Sequence, residues 1–96
     1  MSVISDKWID LFREVSVETV RIQEKFGDYR SMHEAYGVLA EEVAEFFEEV
    51  RKKQSDPTRL RMCRQEAIDV AVVALRIVFA LTNDDGNPIV GVDGKP

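Results

Sequence analysis

Three observations predict an all-α fold, a small bundle of three main helices completed by oligomerisation. The chain carries three apolar stripes of helical period, a cap or stop signal separates each stripe from the next, and the third stripe is too apolar for one small chain to cover. With 96 residues, one domain spanning 1–96 is expected.

Trp8, Leu11, Phe12, Val15, Ile22 and Phe26 recur at three-and-four spacing, with Thr19 in the same stripe, and predict a first helix over about 5–25. Gly27 supplies its stop and 27–30 a short loop. Ser31-Met32-His33-Glu34 fits a capping box, with the serine oxygen accepting from the Glu34 amide and the Glu34 carboxylate reaching back to Ser31. The second helix then runs over about 31–53 on Met32, Ala35, Tyr36, Leu39, Val43, Phe46, Phe47 and Val50, and fades into Arg51, Lys52 and Lys53, cations suited to a helix C-terminus. Asp56 as cap and Pro57 in the first turn start a third helix over about 57–82. Asn83 to Gly86 ends it. The tail 84–96, with Gly86, Pro88, Gly91, Gly94 and Pro96, reads as a turn-rich strap or a flexible end.

From Ala67 onward the third helix is apolar on nearly every side. One face of each helix in so small a bundle normally stays wet, so a homodimer or homotetramer is expected.

Hydrophobic residues make up 45% of the chain and charged residues 32%, too apolar a mixture for a disordered protein. A net charge of -5 repels a phosphate backbone and disfavours nucleic-acid binding. Cys63 is the sole cysteine, which excludes an internal disulfide and a cysteine-based zinc site within one chain. Met1 to Trp8 lacks the basic start and apolar stretch of a signal peptide. The run Ala67 to Leu81 is too short for a membrane span and contains Asp69 and Arg76. The expectation is a cytoplasmic protein with no membrane partner.

Helix two carries Glu41, Glu42, Glu45, Glu48 and Glu49, and the bland reading of such a run is a solvated acidic face. At about 100° per residue, however, Glu42 lies roughly 60° from Leu39 and borders the apolar stripe, and Glu45 sits one turn on at the same border. Residues three apart have Cβ atoms about 5–6 Å apart, so both carboxylates can reach one hard cation. Glu66 and Asp69, again three apart, open the apolar segment of helix three, where polar groups are costly. Antiparallel packing of the two helices lets the pairs face one another. Mg²⁺ takes oxygen ligands and bridges carboxylates to phosphates, which is the chemistry four converging acids would serve. Zinc is disfavoured, because His33 is the sole histidine and lies off the acid face.

Glu42-Val43-Ala44-Glu45, then twenty residues, then Glu66-Ala67-Ile68-Asp69 resembles the ExxE…ExxD signature of the MazG-like, all-α NTP pyrophosphohydrolase superfamily. The resemblance covers about 31–81, including the block Leu39-Ala40-Glu41-Glu42-Val43-Ala44-Glu45-Phe46. It implies that Glu42, Glu45, Glu66 and Asp69 ligate Mg²⁺, with Mn²⁺ as an alternative. It also implies cleavage between the α and β phosphates of a nucleotide substrate, giving the monophosphate and pyrophosphate. Glu41, Glu42 and Glu45 are then the catalytic candidates, with Glu41 or Glu49 as base or supporting group.

Many members of that superfamily carry an asparagine seven residues after the final aspartate, where this chain has Arg76. Arg76 projects about 10 Å along the axis from Asp69, on the acid side, and is a candidate substrate-binding residue or a partner for a neighbouring acid. Lys53, among the cations Arg51, Lys52, Arg59, Arg61 and Arg64 flanking the turn between helices two and three, is the other substrate-binding candidate. Hydrolysis of a linkage such as that of phosphoribosyl-ATP is a rival within the same fold. A noncatalytic helical adaptor is a rival of another class.

Overall fold

The computed structural model describes residues 4–90. Three helices, α1 Asp6–Phe26, α2 Met32–Val50 and α3 Arg59–Ala80, account for nearly all of the regular structure. Both α1 and α2 pack on α3 and not on each other, so α3 is the shared spine. No described helix is long and apolar enough to cross a membrane.

The stop expected at Gly27 and the cap expected at Ser31 form, Ser5 adds a cap at the start of α1, and Asp56 does not cap α3. The Ser5 hydroxyl accepts from the Trp8 amide at the start of α1. Gly27 closes α1 with φ 72° and ψ -166°, a region open essentially to glycine alone, and its amide donates to the Gln23 carbonyl at 2.8 Å. At α2 the Ser31 hydroxyl accepts from the Glu34 amide at 3.0 Å. The return half of the capping box is displaced by one residue: the Glu34 carboxylate accepts from the backbone amide of Arg30, not from Ser31, and from the Arg30 guanidinium. The second donor explains the displacement, because one carboxylate meets both groups of a single residue there.

Helix α2 stops at Val50, short of the lysines expected to extend it, and α3 starts at Arg59, later than Pro57. Asp56 caps a turn instead of the helix, accepting from both the amide and the hydroxyl of Thr58. This Asx-type geometry competes with a helix start. After α3 the chain folds back through Asn83, whose side chain accepts from the amides of Asp85 and Asn87, and Thr82 bridges Pro88. The expected strap is therefore an ordered tight turn over 84–90; residues 91–96 lie outside the described segment.

Little of the chain is buried. Ala35, Val72 and Val73 form the apolar core, and Arg76 is the fourth buried residue among those described. Replacing Gly27 with alanine forces a side chain into its glycine-only conformation, although no neighbour stands within 4 Å to be struck. The expected loss is about 1–3 kcal/mol of unfolding free energy, read from urea denaturation, without loss of helix content.

Candidate metal centre

Glu42 and Glu45 stand one turn apart on α2, and Glu66 meets them from α3 because the antiparallel hairpin aligns these turns. One carboxylate oxygen from each lies within 4.8 Å of the other two. Glu42 and Glu66 are half-buried and Glu45 is exposed. Oxygens Oε2 of Glu42 and Oε2 of Glu66 are buried without a hydrogen-bond partner. A buried acceptor with no donor is costly, and two beside a third carboxylate favour a cation or protons there.

The electrostatics agree with the geometry. Burial, then the charges of Glu45, Asp69 and Glu66, push the Glu42 carboxyl up to about 7 from an ordinary 4.5. Burial and then Asp69, Glu45 and Glu49 push Glu66 above its ordinary range. Asp69 sits beside this trio without joining it, its carboxylate accepting from Gln65 at 3.1 Å, yet its charge acts on both Glu42 and Glu66. All-oxygen donors with unpartnered lone pairs fit a hard divalent cation such as Mg²⁺ or Mn²⁺.

The remaining candidates fall in different places. Glu41 is exposed on α2. Glu49 is 13% exposed, paired with Lys52 at 2.7 Å, and its charge reaches Glu66, so Glu49 extends the acid row. Lys53 is exposed in the α2–α3 connection. Arg76, 6% exposed, lies over the Tyr29 ring at 4.5 Å and donates to the Gln23 side chain and the Gly27 carbonyl at 3.1 and 3.0 Å. Its hydrogen-bond partners are thus neutral groups at the end of α1, rather than a neighbouring acid.

A cleft of about 240 Å³ joins these groups: Glu42 and Asp69 line it together with Arg76, and Ile22, Phe26, Val38, Val72 and Val73 supply apolar walls. A neighbouring cleft of about 410 Å³ shares Phe26, Val38 and Arg76 and adds Tyr29, whose hydroxyl is buried and unpartnered. Sequence reasoning assigned the site to α2 and α3 alone and missed the α1 wall of Glu18, Ile22 and Phe26. Ile22 and Phe26 carried no signal beyond their place in an apolar stripe.

Because Glu42 titrates higher in the folded chain than when unfolded, protonation favours folding. Its contribution is complete below pH 4.5 and lost as the pH rises through about 7. The metal-free protein should therefore melt lower at pH 8 than at pH 5.5. Glu42→Gln should flatten that dependence and melt above wild type at pH 8, as read by circular dichroism in chelator. An equal pH slope in the two proteins would exclude Glu42 as its source. Comparisons with family models, curated proteins and solved structures found no match.

Proposed function

We propose that the protein is a Mg²⁺-dependent nucleotide pyrophosphohydrolase of the MazG-like kind, cleaving an NTP or dNTP to the monophosphate and pyrophosphate. The observation that carries this reading is the convergence of Glu42, Glu45 and Glu66, with two buried oxygens lacking donors, beside Asp69. Their place at the ExxE…ExxD positions supports the same class. The enzyme would act in a reducing cytoplasm and as a homo-oligomer.

Bound by these acids, Mg²⁺ would supply Lewis acidity toward the phosphates and offset their charge. Glu42, Glu45 and Glu66 would hold the cation, with Asp69 adding negative charge beside them. Water attacks the α phosphorus, the α–β anhydride bond breaks, pyrophosphate departs, and the water's proton passes to a carboxylate of the row. Glu49 faces that row, whereas Glu41 faces solvent, so Glu49 is the better placed of the two. The cleft from Asp69 to Arg76 gives the nucleoside end of a substrate apolar walls and one fixed cation. Lys53 remains a candidate for the distal phosphates only through side-chain reach.

Exposed apolar residues on every helix favour a second reading, a noncatalytic interaction module. That reading predicts neither metal binding nor turnover.

Pyrophosphate release from a panel of NTPs, dNTPs and phosphoribosyl-ATP, with Mg²⁺ and with chelator, separates these readings. Wild type should release pyrophosphate with Mg²⁺ alone, and Glu45→Gln and Asp69→Asn should each lose about a hundredfold or more, several kcal/mol of charge stabilisation, while keeping their helix content. Folded protein with neither release nor Mg²⁺ binding would leave the interaction module standing. Arg76→Lys should weaken the substrate KM about tenfold if the guanidinium meets the nucleotide, and leave KM unchanged if it only ties α3 to α1.

A further inference from the structure

We infer, resting on the metal-dependent reading above, that Lys52 is a positioning residue whose ammonium holds Glu49 out of the metal's ligand shell and leaves the cation to Glu42, Glu45 and Glu66. Glu42, Glu45 and Glu49 stand at i, i+3 and i+7 on α2, within about 60° of one another at about 100° per residue. Glu49 lies about 6 Å along the axis from Glu45, and its charge acts on Glu66 across the seam with α3. Position alone would make Glu49 one more carboxylate ligand.

Its oxygens have a different neighbour from the others. Oε2 of Glu42 and Oε2 of Glu66 are buried with no donor, whereas both oxygens of Glu49 face the Lys52 ammonium, Oε1 at 2.9 Å and Oε2 at 2.7 Å. The backbone builds this pair. Because α2 stops at Val50, the chain turns and the Lys52 amide donates back to the Glu49 carbonyl at 3.3 Å, which sets the lysine side chain over the carboxylate three residues earlier.

Burial separates this pair from its neighbour. Arg51 and Glu48 have the same spacing, but Glu48 is 66% exposed and water screens it. Glu49 is 13% exposed, so more of the field of its pair reaches the acid row. Hydrogen bonding to Glu49, partly opposed by burial, raises the Lys52 ammonium above its ordinary pKa and keeps it charged.

An ammonium on both oxygens competes with a divalent cation for the same lone pairs. Held in this way, Glu49 stays beside the row as a proton acceptor instead of a ligand. Lys52 also offsets one negative charge that would otherwise face the phosphates of an incoming nucleotide.

Mn²⁺ titration of the full chain, followed by loss of the free ion's electron paramagnetic resonance signal, tests this without any turnover. Lys52→Met should tighten Mn²⁺ binding about fivefold or more, because a positive charge leaves and Glu49 becomes free to ligate, and Lys52→Arg should keep the wild-type Kd. Glu49→Gln should weaken binding by a similar factor, since Lys52 is then unopposed, and the double variant Lys52→Met/Glu49→Gln should return close to wild type. Arg51→Met, at the exposed pair, should leave Kd unchanged. A pair that merely held the turn would never tighten binding when broken. Unchanged or weaker binding by Lys52→Met, equal tightening by Arg51→Met, or a wild type that binds no Mn²⁺ would overturn the inference. A wild type that binds Mn²⁺ and shows this pattern without releasing pyrophosphate would support it and sink the hydrolase reading alone. Should Lys52→Met lose its helical circular dichroism, Lys52→Gln carries the same comparison, with the same outcomes.

Discussion

Helix α3 is the constraint from which the rest of the molecule follows. Both α1 and α2 pack on it and not on one another, so a single helix must offer apolar surface in two directions within the chain. That demand explains why Ala67 to Leu81 is apolar around most of its circumference. It also explains why the buried residues Val72, Val73 and Arg76 all belong to α3 and only Ala35 to another helix. Among the described residues, a chain so arranged has a spine but little interior.

The same spine sets the chemistry of the acid cluster. Glu66 and Asp69 stand where α3 changes from a polar to an apolar helix, so Glu66 is drawn into partial burial against Glu42. Isolated on a surface helix, these acids would repel one another through water at little cost. At the seam between α2 and α3, desolvation is the larger influence on Glu42 and mutual repulsion the next. Protonation relieves that cost, and a cation bound there would relieve it too, in competition with protons.

Much of the fold was legible in the sequence because periodicity and caps are local. The stripes beginning at Trp8 and Met32, and the stops at Gly27 and Asn83, depend on residues within a turn or two of each other. The α2–α3 connection was less legible: Asp56 and Pro57 carry the marks of a helix start, but the Thr58 amide and hydroxyl both turn to Asp56 and delay it. At the site, spacing alone brought Glu42, Glu45 and Glu66 to one place. The environment of Arg76 was hidden, since Gln23, Gly27 and Tyr29 lie about fifty residues away and reveal nothing until α1 docks. Glu49 was legible only as one of two alternatives, because its burial depends on the facing helix.

The guanidinium of Arg59 donates twice to the Val50 carbonyl, at 3.2 and 2.8 Å, joining the first residue of α3 to the last of α2. That fork acts as a register pin. A slide of α3 by one helical turn would displace Glu66 by about 5.4 Å, more than the 4.8 Å that separates the clustered oxygens at most, and would dismantle the cluster while leaving every helix intact. The alignment of carboxylates in mid-hairpin thus leans on a contact at its far end, among residues that carry no chemistry of their own.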